Sequence, residues 1–154
     1  MLQGLWQGLS YGLRAFRRNP GGFKFIAVLS LAMGVTRREI GDLDGAMADF
    51  NHAIALAPRL AWAYFGRGAI LGEQGKFDEA IIDFDRAVEL DPEFALAYAN
   101  RGLARLRRGE DYIAKKDFRL CLKLDPKLKK EIEAISAVMK KRRDHKPGGA
   151  RRTG

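Results

Sequence analysis

A spacing of 34 residues constrains this chain more than any other feature. Three segments stack in register at that period: 27–60, 61–94 and 95–128. Proline recurs at Pro58, Pro92 and Pro126, and glycine at Gly34, Gly68 and Gly102 and again at Gly41, Gly75 and Gly109. Alanine recurs at Ala46, Ala80 and Ala114, phenylalanine at Phe50, Phe84 and Phe118, and leucine at Leu56, Leu90 and Leu124. One further small column holds Ala53, Ala87 and Cys121. Self-similarity at a fixed period of 20–50 residues marks a solenoid or array, in which one supersecondary unit is repeated and stacked.

The columns describe what that unit is. Each segment reads as helix, short turn, helix. The first helix stops near Gly41, Gly75 or Gly109, where glycine accepts the positive φ of a helix C-terminus. The second runs toward the proline, which cannot continue a helix and restricts the residue before it. Gly34, Gly68 and Gly102 fall inside the first helix, at a cost of about 1 kcal/mol each relative to alanine. That cost predicts a close approach of two helices, with Ala46, Ala80 and Ala114 as the small residues opposite. Phe50, Phe84 and Phe118 then fill space between successive pairs. A single pair cannot bury both faces, so such an array is stabilised by stacking. The expected fold is all-α: a helical-repeat solenoid of three helix-turn-helix repeats within 25–128.

These residues resemble the tetratricopeptide repeat family in its bacterial form. The family pattern of aromatic, small, Ala, Phe, Ala and Pro is met by Tyr64, Gly68, Ala80, Phe84, Ala87 and Pro92. Tyr98, Gly102, Ala114, Phe118, Cys121 and Pro126 meet it again. The first repeat departs, with Ser30 in the aromatic column and Arg37 in an apolar one. The resemblance implies a non-enzymatic adaptor or scaffold that binds a peptide or partner helix in a concave groove. It places the groove at Val28, Leu31, Val35 and Arg38, then Trp62, Phe65, Gly66, Ala69 and Glu73, then Leu96, Asn100, Leu103 and Arg107. The residues expected to carry binding are Trp62, Phe65, Leu96, Asn100, Leu103, Arg107 and Arg38. Some family members grip a C-terminal carboxylate with Lys, Asn and Arg. The corresponding positions here are Leu31, Val35, Gly66, Leu96 and Asn100, of which only Asn100 fits, so an apolar or helical peptide suits the groove better.

Outside the repeats the chain is basic. The formal net charge is +9 over 154 residues. Residues 1–24 hold four Lys/Arg and no acid, and residues 127–154 hold ten Lys/Arg against three Asp/Glu. The stretch between them, 25–126, has fourteen basic and sixteen acidic residues. A basic surface can serve nucleic acid or a lipid surface, but here the charge sits at the ends and the body is near neutral. A rival function class follows: a membrane-surface or nucleic-acid binder acting through those ends, without sequence-specific recognition of nucleic acid.

At the C-terminal end KLKKEIEAISAVMKKRR carries Leu128, Ile132, Ile135 and Met139 as one narrow apolar stripe. It reads as a capping helix over 129–143, as repeat arrays need. Residues 144–154 have no periodicity and read as a disordered basic tail. At the N-terminal end Leu2, Leu5, Trp6, Leu9, Leu13 and Phe16 share one helical face, followed by Arg14, Arg17 and Arg18 and broken by NPGG. The thirteen mostly apolar residues Phe23 to Val35 fall short of the roughly 20 that span a bilayer. Three readings compete for residues 1–35: a signal segment cleaved near Ala32-Met33-Gly34, an interfacial anchor, and a cap on 2–18 followed by the first repeat helix at 25–40. The stretch GLRAFRRNPGGFKFIAVLSLAMG resembles the start of bacterial transporter permeases, but its apolar run stops too early for their function to carry over. The register of Gly34, Gly41 and Ala46 favours the third reading. It goes with a cytoplasmic protein, against a peripheral inner-membrane or exported one.

No catalytic arrangement emerges. His52 and His145 lie in different elements, and no His/Cys/Asp/Glu group has metal-ligand spacing. Cys121 has no disulfide partner and sits in a small core column. Glycine motifs for phosphate or dinucleotide binding are missing. The acidic runs DLDGAMAD and DFDRAVELD read as solvated helix faces. Neither an activity nor a cofactor is expected. The partner is another protein or peptide, with contact of 2–18 to a membrane and end-to-end self-association as further options.

Overall fold

A computed structural model describes residues 25–144. The readings made of 1–24 and 145–154, basic ends included, lie outside it. Seven α-helices follow one another: α1 (Phe25–Glu39), α2 (Leu43–Leu56), α3 (Ala61–Glu73), α4 (Phe77–Leu90), α5 (Ala95–Arg107), α6 (Asp111–Leu124) and α7 (Lys129–Asp144). A single 3-10 turn, Pro126–Leu128, joins the last two. No strand occurs among the described residues. None of their helices is long and apolar enough to cross a membrane.

Helices pair within each 34-residue unit: α1 with α2, α3 with α4, α5 with α6. Each pair also packs on the next, α2 on α3 and α4 on α5. The first helices touch one another, α1 with α3 and α3 with α5. They make an inner layer, and α2, α4 and α6 make an outer one.

The turns between paired helices follow from their glycines. Gly41, Gly75 and Gly109 have φ of +86°, +78° and +85°. At each, two backbone bonds close the helix end. The Gly75 N–H donates to the Gly72 carbonyl and the Lys76 N–H to the Leu71 carbonyl, at 3.1 and 2.9 Å. Asp42 and Glu110 repeat the Lys76 bond to Arg37 and Arg105. This is the Schellman closure, which satisfies carbonyls that a helix end leaves unpaired. A Cβ on Gly75 would meet nothing within 4 Å. Gly75→Ala should therefore cost only the left-handed backbone penalty, about 1–2 kcal/mol. Urea unfolding of this variant should show a lower midpoint with an unchanged slope.

The mid-helix glycines meet the phenylalanine column. A Cβ on Gly34 would lie 2.8 Å from the Phe50 ring, one on Gly68 2.9 Å from Phe84, and one on Gly102 2.8 Å from Phe118. Phe50 also faces the following unit, where a Cβ on Gly66 would lie 2.5 Å from its ring. The ring is thus clasped between two glycines of successive repeats. Ala46, Ala80 and Ala114 are fully buried. The C-terminal helix docks through Ile132, buried against Ala114, Phe118 and Cys121, with Leu128 packed alongside. Ile135 is half-buried, and the Met139 side chain lies outside the described ones.

The acidic runs form the solvated faces that their composition suggests at Asp42, Asp44 and Glu89, but one acid of each run, Asp49 and Asp83, turns inward, as does Asp117 in the third repeat. Asp83 and Asp117 are buried, and the side chain of Asp49 is only 15% exposed. The physical reason is a cation for each. Arg67 sends Nε and Nη2 to the two oxygens of Asp83, both at 2.7 Å, in a bidentate fork. Arg101 and Arg105 donate to Asp117 at 2.6 and 2.8 Å, and Arg37 to Asp49 at 2.8 Å. The hydrogen bond with Asp83 raises the pKa of Arg67 further. Both central arginines also reach backward: Arg67 donates to Asn51 at 2.8 Å and Arg101 to Asp85 at 2.7 Å. A ladder thus ties α3 and α5 each to its own outer helix and to the outer helix before it. Arg37, which breaks the apolar column of the first repeat, holds Asp49 in that ladder. Ser30, which breaks the aromatic column, is bonded at 2.9 Å to His52.

Candidate groove on the inner helix layer

The inner layer carries every residue that the family resemblance assigns to a groove. The residues differ in how far they remain available. Trp62 and Phe65 on α3 are half-buried. Their rings pack with Phe94, at centroid distances of 4.2 Å for Trp62 and 4.9 Å for Phe65, and edge-on with each other at 5.3 Å. Phe65 also meets Phe84 at 5.9 Å. Leu96 packs against the same group. The aromatic pair therefore serves the contact between the second and third repeats as well as any surface. Such pairs contribute about 0.5–1.5 kcal/mol beyond their area, so the cluster also fixes where the exposed edge of Trp62 sits.

Asn100 lies four residues beyond Leu96 on α5, and its Nδ2 donates to the Leu96 carbonyl at 2.9 Å. That bond uses part of the amide and orients it, leaving Oδ1 as the acceptor. Leu103 is half-buried and Arg107 exposed, on the following turns of the same helix. Arg38, in the last turn of α1, is paired with Glu73 at the end of α3. Both are partly exposed, so the pair adds about 0–1 kcal/mol to stability but fixes charge at one rim.

Four neighbouring positions are closed. Leu31, Gly66 and Ala69 are buried, and Val35 packs beside the core of the first repeat. The structure thus brings Trp62, Phe65 and Leu96 together with Asn100 beside them. It sets Arg38 and Arg107 at the helix ends.

Sequence reasoning overlooked Phe94 as the hub of the aromatic cluster and the Arg–Asp ladder between the layers. The ladder had a signal: Arg67 and Arg101, and Asp49, Asp83 and Asp117, recur at the same 34-residue period as the core. A charge that repeats at the period of buried positions is paired. Cys121 is buried, and burial raises its thiol pKa, which fits packing and not reactivity. Among the described residues no group of three or more His, Cys, Asp and Glu could hold a metal ion.

Comparison with known proteins agrees with this geometry. The tetratricopeptide repeat pattern matches residues 61–94 and 95–128, and a TPR repeat pattern matches 34–75. Among solved structures, the first TPR of Spaghetti (RPAP3) bound to the HSP90 peptide SRMEEVD is 26% identical. That match covers 73% of this chain and 92% of the other, with a TM-score of 0.67. The Arabidopsis OM64 TPR domain is 26% identical over 75% of this chain and 95% of its own, with a TM-score of 0.70. The MamA protein is 29% identical over 68% of this chain and 57% of its own, with a TM-score of 0.60. None of the curated protein sequences compared matches the chain.

Proposed function

The chain belongs to the tetratricopeptide repeat family, and from that premise we propose that it is an interaction adaptor. It holds a peptide or partner helix against the inner layer formed by α1, α3 and α5. The observation that carries this reading is the continuous inner layer itself. It presents half-buried apolar side chains at Trp62, Phe65, Leu96 and Leu103, with one oriented amide at Asn100. Aromatic and arginine anchors that become fully desolvated on binding dominate binding energy. The RPAP3 relative, 26% identical, is bound to a peptide, which supports the class of ligand.

The kind of peptide follows from the side chains. The Spaghetti peptide ends in the acidic sequence EEVD. The carboxylate-clamp positions implied by family resemblance hold Leu31, Val35, Gly66 and Leu96 here, which supply no cation, and Asn100 alone is polar. An apolar or amphipathic helical peptide therefore fits better than an acidic C-terminal tail.

Peptides selected from a random display library on the immobilised full chain test this. The best binder should lose about tenfold or more in affinity with Trp62→Ala, the size expected of a central anchor. Asn100→Ala and Leu103→Lys should also weaken it. Ile82→Ser, on the outer layer and 67% exposed, should leave it unchanged. If Trp62→Ala and Asn100→Ala both bind as the parent does, the groove is not the site.

A further inference from the structure

The repeats share a backbone but not a charge. Residues 25–94 hold six Lys/Arg against twelve Asp/Glu, and residues 95–135 hold eleven against six. The near-neutral body is therefore divided, and the fold turns the division into a face. In the second repeat the outer helix α4 carries Asp78, Glu79, Asp85 and Glu89. The same four columns in α6 hold Tyr112, Ile113, Arg119 and Lys123, all exposed. None of these side chains belongs to the core, so packing does not require the exchange.

Two stripes result on the outer face of α6. Tyr112, Lys116, Arg119 and Lys123 follow at intervals of four, three and four, which sets them in one line along a helix. The Lys116 ammonium lies 4.6 Å from the centre of the Tyr112 ring. Beside this line run Ile113, Leu120 and Leu124, which are 43%, 43% and 39% exposed. Lys127 in the 3-10 turn and Lys130 at the start of α7 extend the cations, and both are exposed. Lys129 is paired with Glu133 at 3.8 Å. The Asp125 carboxylate accepts from the Lys127 backbone N–H at 3.0 Å and so caps the turn. The ladder changes sign here too. The column that offers Asn51 to Arg67 and Asp85 to Arg101 holds Arg119, which donates to the Lys115 carbonyl at 3.3 Å.

We propose that α6 and the turn after it form a docking face for an anionic lipid surface. A cluster of four to eight Lys/Arg on an amphipathic helix is attracted to negative headgroups. The long cationic side chains reach the phosphates while aliphatic neighbours enter the boundary with the acyl chains. A nucleic-acid duplex would engage the cations but leave Ile113, Leu120 and Leu124 in water. The acidic first two repeats are repelled by the same surface, so the array stands on its third repeat. Docking uses the outer layer, and the inner layer stays open to a peptide. The face lies within the folded repeats, separate from the basic ends of the chain.

Co-sedimentation of the full-length chain with vesicles tests this. The chain should bind vesicles of phosphatidylglycerol and phosphatidylcholine in equal parts, and not phosphatidylcholine alone. Lys116→Gln, Arg119→Gln and Lys123→Gln together should lower affinity about a hundredfold at low salt. Arg59→Gln, Lys76→Gln and Arg86→Gln remove the same charge from exposed positions in earlier repeats and should leave binding nearly unchanged. Ile113→Ser with Leu120→Ser should lower affinity about tenfold while keeping its dependence on salt. Far-ultraviolet circular dichroism should be the same for all three variants. Several results overturn the proposal. If the glutamine variant of α6 binds as the parent does, the basic ends carry the contact. If both glutamine variants lose equally, net charge alone is at work. If the serine variant binds as the parent does and duplex DNA competes fully, the face takes phosphates without a membrane. Failure to bind anionic vesicles, with a dimer in sedimentation velocity that the α6 variant abolishes, would assign the face to a second copy.

Discussion

Phe50→Ala is expected to be among the most damaging single substitutions in this chain, costing about 3–5 kcal/mol. The ring is 1% exposed and fills the space between Gly34 of its own repeat and Gly66 of the next. Its removal opens a cavity at the junction of two repeats, where neither helix pair can collapse without disturbing the other. Domains of this size have only about 5–15 kcal/mol in total, so the loss should be visible as a large drop in the urea midpoint. A second substitution makes the argument sharper. Gly66→Ala places a methyl group 2.5 Å from the ring, an overlap that costs about 1–3 kcal/mol. Against this stands the better helix propensity of alanine, about 1 kcal/mol. In the parent the overlap should dominate and Gly66→Ala should destabilise. In the Phe50→Ala background the ring is gone, and the same change should stabilise by about 1 kcal/mol. A reversal of sign in this double-mutant cycle is specific to contact; equal effects in both backgrounds would mean that the glycine has another role.

The second large effect concerns charge. Asp117 is 2% exposed and accepts from both Arg101 and Arg105. Taking away one partner of a buried pair leaves a desolvated charge behind, and Asp117→Ala should cost about 3–5 kcal/mol. Asp85 accepts from the same Arg101, but its side chain is 42% exposed. Water and salt screen it, and Asp85→Ala should cost about 0–1 kcal/mol. Thermal or urea unfolding of the two variants side by side checks the ranking. Similar small losses would mean that the whole ladder behaves as a surface ion-pair network.

These two effects also divide what was legible in the sequence from what was not. The close approach at Gly34, Gly68 and Gly102 could be read directly, because a repeated glycine inside a helix has few explanations besides close packing; that they face the Phe50, Phe84 and Phe118 rings and not the alanine column was not legible. The C-terminal glycines at 41, 75 and 109 were legible for a similar reason: positive φ at a helix end leaves a residue-type signature. Asp49 and Asp83 were misread because a carboxylate in a run of carboxylates has the composition of a solvated face, which its neighbours Asp42, Asp44 and Glu89 do form. Only the pairing of Asp83 with Arg67, sixteen residues earlier on another helix, takes it into the interior. The groove was readable as a set of positions but not as a set of states. Nothing local to Trp62 or Phe65 indicates that Phe94, from the turn before the next repeat, packs against both. Leu31 and Gly66 look like lining residues by column and prove to be buried, because the Phe50 ring of the outer helix covers Gly66 and Leu31 joins the core around that same ring.

The central claim is that a 34-residue repeat sets an inner helix layer whose face receives a peptide. Amide chemical-shift mapping of the full-length chain against its best display-selected peptide tests it most directly. The account predicts that the perturbed amides fall along α1, α3 and α5, centred on Trp62, Leu96 and Asn100. Perturbations confined to α2, α4 and α6, or to the residues before Phe25 and after Asp144, would contradict it.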